Sequence, residues 1–119
     1  MRSLSFAILL IIALPASAGD DWTNGDTYRQ IAVGLTYAFD AAQTHEIARD
    51  PAHYETNPIM GRDPSPGEIN RYFLGAFALH TAIMYALPHK YRECFQYFTI
   101  VVEGSAIIKN YRAGIRIKF

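Results

Sequence analysis

Asp40, His80 and Glu103 are ionisable side chains that each sit inside a long apolar segment. Two carboxylates and an imidazole can bind a divalent metal, relay protons or close a hydrogen-bond network. Spacing adds further polar groups to the same faces. Tyr37, Asp40 and Thr44 follow i, i+3, i+7, with Gln43 alongside. Phe73, Phe77, His80 and Met84 form a second face. Gln96, Thr99 or Ile100, Glu103, Ile107 and Asn110 form a third. Buried polar groups are costly unless they are hydrogen-bonded. The simplest solution turns the three seams toward one another, with Asp40, His80 and Glu103 in one network that fixes helix register. The sharper alternative is a metal or proton site built on the same three residues, which would make the chain a metal-dependent membrane enzyme. His45 and Glu46 with His53 form a weaker set. No HExxH, nucleophile elbow, phosphate loop or catalytic carboxylate pair is present, so no motif commits the chain to catalysis or calls for a cofactor.

A second group of chemical interest lies in the connector Tyr54-Glu55-Thr56-Asn57-Pro58-Ile59-Met60-Gly61. Asn57-Pro58 imposes an extended or turn geometry. Gly61 permits positive φ. Ile59 and Met60 are expected to tuck under the end of the bundle. Glu55 or Asn57 is expected to bond a helix end or another seam residue. The candidate cluster is therefore Asp40, Gln43, Thr44, Glu55, Asn57, His80, Glu103 and Asn110.

These residues need helices to position them, and the sequence predicts three. The first spans about 28–48 by its apolar periodicity, N-capped by Asp26 or Thr27 and ended by Asp50-Pro51. The second opens on a capping box, Ser65-Pro66-Gly67-Glu68, and stops before Pro88. The third runs from near Lys90 to near Asn110. The fold class is all-α, a three-helix bundle in one domain spanning 19–119. Tyr111, Ala113, Ile115, Ile117 and Phe119 alternate with polar or small residues, which suits a short terminal strand or an amphipathic tail.

Composition and the N-terminus suggest location. Residues 1–18 have an Arg2 n-region, an apolar run from Leu4 to Leu14 and a Pro15-Ala16-Ser17-Ala18 cleavage site, the form of a signal peptide. Uncleaved, it would add an N-terminal helix. Half of the residues are hydrophobic, and eleven basic residues balance eleven acidic ones, so nothing points to nucleic acid. Cys94 is the only cysteine, which rules out an intrachain disulfide. The expectation is an exported, multi-pass protein of the inner membrane, with membrane lipid and other envelope proteins as partners. Arg49, Arg62, Arg71, Lys109, Arg112, Arg116 and Lys118 then mark the cytoplasmic side, which includes the C-terminus, against Arg29, Lys90 and Arg92 outside. A secreted periplasmic helical domain is the alternative.

DWTNGDTYRQ, then FDAAQT, YETNPIMGRDPSP, a helical Leu-His, LPHKYRECFQYFTIVVE and a terminal KNYRAG resemble a group of small helical envelope proteins of proteobacteria and their phages. The Asp-x-x-x-Thr and Glu-x-Asn-Pro elements are also similar to those of a wider set of small multi-pass membrane proteins of unknown function. Asp40, Thr44, Glu55, Asn57, Pro58, His80, Glu103 and Asn110 carry the resemblance. It implies a membrane or envelope helical protein and no particular activity; a structural or accessory role is the expectation for the chain itself.

Overall fold

The computed structural model describes residues 21–55 and 57–118. The signal-peptide reading lies outside the described residues. Three helices follow in order: α1 (Asn24–Arg49), α2 (Pro66–Ala86) and α3 (His89–Arg112). No strand occurs among the described residues, so the alternation near the C-terminus does not form one.

α1 begins four residues earlier than its apolar pattern suggests. Thr23, not Asp26 or Thr27, is the N-cap. The Asp26 N–H donates to Thr23 Oγ1 at 3.1 Å, and the Thr23 N–H donates to Asp26 Oδ2 at 2.9 Å. That reciprocal box satisfies two of the helix's orphan donors. α2 carries the expected box: the Glu68 N–H donates to Ser65 Oγ at 3.2 Å and the Ser65 N–H to Glu68 Oε2 at 3.1 Å. Pro88 separates α2 from α3 and provides no side-chain cap. Just past the end of α3, Gly114 has a φ of 95°, its N–H reaches Tyr111 O, and the Ile115 N–H reaches Asn110 O. This closure satisfies the last carbonyls and buries Ile115.

α1 packs along both other helices, whereas α2 and α3 share few contacts with each other. Gly34 permits the close approach of α1 to α2. A Cβ there would lie 3.2 Å from the Phe77 ring.

Among the described residues the interior is more polar than apolar. Asp26, Gln30, Gln43, Thr44, His80, Arg92, Gln96 and Thr99 are buried, against Val33, Ile47, Ile69, Phe73, Met84 and Ile115. The outside is the reverse. Between Tyr28 and Ala48 every exposed α1 residue is apolar: Tyr28, Ile31, Leu35, Ala38, Phe39 and Ala48. On α2 the exposed residues from Leu74 onward are Leu74, Ala78 and Tyr85. On α3, from Cys94 to Ile108, Ser105 is the sole exposed hydroxylic residue outside the aromatics, and no exposed residue is charged.

No described helix is long and apolar enough to cross a membrane. The expected multi-pass arrangement therefore finds no support in whole-helix hydropathy. Part of the reason is visible in the seams: Gln30, Gln43, Thr44, His80, Gln96 and Thr99 lower the averages and are buried.

Candidate functional site

The polar interior forms several clusters, the first two linked through Gln96, rather than the one expected network of Asp40, His80 and Glu103. The first was not anticipated. Arg92, wholly buried, donates from Nη1 to Asp26 Oδ2 at 2.8 Å. Its Nε donates to Met84 O at 2.7 Å and its Nη2 to Leu87 O at 3.0 Å, so it also binds the last carbonyls of α2. Arg29 Nη2 reaches the other Asp26 oxygen at 2.7 Å. Burial alone would raise the Asp26 pKa. The Thr23 N–H and the Arg92 guanidinium outweigh it and lower the pKa to about 2. Trp22 stacks on Tyr85 at 4.2 Å, and the Arg92 guanidinium lies 5.0 Å from the Trp22 ring.

The second cluster holds His80. Gln96 links it to the first: its Nε2 donates to Asp26 O at 3.1 Å and to Gln30 Oε1 at 3.0 Å. Gln30 Nε2 lies 2.8 Å from Thr81 Oγ1 and 3.1 Å from His80 Nδ1. His80 Nε2 is 2.9 Å from Thr99 Oγ1, and that hydroxyl donates to Phe95 O at 2.9 Å. The donors assign the tautomer. The Thr99 proton is already committed, so His80 Nε2–H donates to Thr99, and Nδ1 accepts from Gln30. His80 is therefore a neutral imidazole with both nitrogens engaged in structural bonds. It joins neither Asp40 nor Glu103.

The third cluster is the pair Asp40 and Glu103, whose carboxyl groups lie close enough across α1 and α3 to interact electrostatically. Glu103 Oε2 is buried with no donor reaching it. Two ionised carboxylates would repel each other, and a bond between two carboxyl groups contains a proton. Tyr37 lies beside this pair and sets its ring edge-on to His80, with centroids 6.3 Å apart.

Gln43 and Asn110 meet across α1 and α3. Asn110 Nδ2 donates to Gln43 Oε1 at 3.1 Å, and Gln43 Nε2 donates to Ile107 O at 3.1 Å. Thr44 is buried but stays within its helix, donating to Asp40 O at 2.8 Å.

The connector supports itself and is tied to α2. The Asn57 N–H donates to Glu55 Oε1 at 3.0 Å, and Asn57 Oδ1 accepts from the Ile59 N–H at 3.0 Å. Asn57 Nδ2 donates to Tyr72 Oη at 2.8 Å. Asn57 thus bonds the side of α2, not a helix end or a seam residue. Gly61 adopts the expected positive φ, 85°. Ile59 is 70% exposed and does not tuck under the bundle, because the Asn57 turn directs it outward.

The proposed metal set is not assembled. No group of three His, Cys, Asp or Glu converges among the described residues. His45 instead bonds Asn70 at 2.9 Å, and His53 pairs with Asp50 at 2.9 Å.

Residues 26, 29, 30 and 92 lie outside the candidate cluster, although the seams point to three of them. Stepping back from Tyr37 by four and three residues gives Val33, Gln30 and Asp26. Stepping back from Gln96 by four gives Arg92.

Comparison with protein-family models, with curated proteins and with solved structures finds no match.

Proposed function

We propose that the chain is a small helical protein of the bacterial envelope, embedded in the inner membrane, with a structural or accessory role. The observation that carries this reading is the belt of exposed side chains without charge that surrounds the polar interior. Exposed charges lie beyond it. Asp21, His89, Lys90 and Glu93 sit at one end; Arg49, Arg62, Asp63, Glu68, Arg71, Lys109, Arg112, Arg116 and Lys118 sit at the other. The belt is about 24 Å tall on α3, between Glu93 and Lys109, and about 34 Å on α1, between Asp26 and Arg49, at 1.5 Å per residue. A bilayer's hydrocarbon core is about 30 Å thick. Exposed Tyr28, Tyr85 and Tyr91 mark one rim, and Tyr54 and Tyr111 the other, where amphipathic rings meet headgroups. Lipid meets only this outer face, so a low whole-helix average is compatible with embedding.

Charge supports an orientation with the C-terminal end in the cytoplasm. Of the three basic residues at the opposite end, Arg92 is buried and Arg29 is spent on Asp26, which leaves Lys90. The clusters in the interior then serve to fix how the helices dock.

The polar content of each helix favours one competing reading, a periplasmic bundle whose apolar faces a partner covers. Alkaline carbonate extraction of membranes from expressing cells separates the two. Embedding predicts that the chain stays with the membrane pellet. Release into the supernatant would end the embedded model.

A further inference from the structure

The segment after α3 is rich in basic residues. Residues 104–118 contain Lys109, Arg112, Arg116 and Lys118 and no acidic residue. Gly114 turns this segment back, and buried Ile115 pins it. The result is a concavity of about 430 Å³ whose lining includes Arg49, Arg116, Lys118, Glu46 and Asp50. Its two carboxylates are already engaged. Glu46 pairs with Arg49 at 3.2 Å, and Asp50 accepts from the Ala52 N–H and binds His53. The Arg116 guanidinium is held in place. It donates to Ile115 O at 3.2 Å and lies 3.6 Å over the Tyr111 ring. Among the described residues no carboxylate lies within ion-pair distance of Lys109, Arg112, Arg116 or Lys118, and Asp50 attracts Lys118 only from beyond that distance.

We propose that this concavity, walled by Arg116 and Lys118, binds the phosphodiester headgroup of an anionic phospholipid. The chemistry fits. A planar guanidinium matches two phosphate oxygens, and an ammonium adds a point charge. The location fits as well: Lys109 and Arg112 lie just past the apolar belt, at the depth where a headgroup would sit. A lipid is favoured over a soluble phosphate because exposed Tyr111 and half-buried Ile117 flank the cations with apolar surface for the glycerol and upper acyl chain. The proposal rests on the embedded reading.

The test is native mass spectrometry of the full chain purified in detergent, with phosphatidylglycerol and phosphatidylcholine added in equal amounts. The expected result is several-fold more retained phosphatidylglycerol. Arg116→Gln with Lys118→Gln should abolish that preference, whereas Arg116→Lys with native Lys118 should keep most of it. Lys90→Gln, at the opposite end, should leave it intact. Circular dichroism of each variant checks that helix content is retained. Equal retention of the two lipids by the native chain would overturn the proposal. So would a preference unchanged in the double variant, or displacement of the lipid by inorganic phosphate at the same concentration. Embedding is read separately by carbonate extraction, so a membrane-bound chain without lipid preference defeats this proposal alone.

Discussion

Arg92 on α3 and Asp26 in the first turn of α1 form an ion pair at 2.8 Å with both side chains closed to solvent. The pair joins the start of α1, the end of α2 and the start of α3 at one point, because Arg92 also binds two α2 carbonyls. Removing one partner strands a buried charge, which costs about 3–5 kcal/mol. Arg92→Met should therefore be the most destabilising single change at this end of the bundle. Asp26→Asn should cost less, because the amide can still accept from Arg92. Chemical unfolding in detergent, followed by circular dichroism, measures both.

The same pair sets an acid limit. The Asp26 pKa in the folded state is about 2, below its ordinary value of 3.8. A lowered carboxyl pKa contributes stability above the unfolded value, and that stability fades as pH falls through the folded value. Native protein should thus lose stability between about pH 4 and pH 2. Asp26→Asn should flatten that part of the profile. Thermal melts across the window compare the two, and identical slopes would remove Asp26 from the account.

The Asp40 and Glu103 pair should tolerate an amide better than a deletion. Glu103→Gln supplies the missing donor without the shared proton, so stability should match or exceed that of the native chain. Glu103→Ala leaves Asp40 without its partner and should cost about 1–3 kcal/mol. A hydrophobic carbodiimide reacts with protonated carboxyl groups. It should label this pair at neutral pH and lose the label in a variant that joins Asp40→Asn to Glu103→Gln. Peptide mass mapping reads the site.

Asn57 should matter more than the hydroxyl it binds. Tyr72→Phe removes one hydrogen bond, worth about 1 kcal/mol. Asn57→Ala also removes the turn that holds the Ile59 N–H. Limited proteolysis should cut the connector of Asn57→Ala faster than that of Tyr72→Phe, and both faster than the native one.

The three helices and most of the seam were legible in the sequence. The Ser65 capping box and the i, i+3, i+7 patterns are local signals that tertiary packing only had to accept. What was not legible depends on how the helices diverge. His80 lies where α2 still meets α3, so Gln30 and Thr99 claim it. Asp40 and Glu103 lie on the α1–α3 face and pair without α2. A single network was therefore expected where the geometry makes several. In the sequence Asp26 suits a cap and Arg92 an outer-side charge near the start of the third helix, because charge at a helix end usually means solvent. Here the box and the ion pair use the same carboxylate.

The central claim is that an apolar belt faces lipid around a polar interior. Spin labels placed at Leu35→Cys or Phe98→Cys, with Cys94→Ser removing the native thiol, test it directly in reconstituted vesicles. Leu35 and Phe98 are 57% and 64% exposed and lie within the belt on different helices. The account predicts that both labels are relaxed strongly by oxygen, which concentrates in lipid, and weakly by a water-soluble nickel chelate. Strong relaxation by nickel and weak relaxation by oxygen at both sites would contradict it.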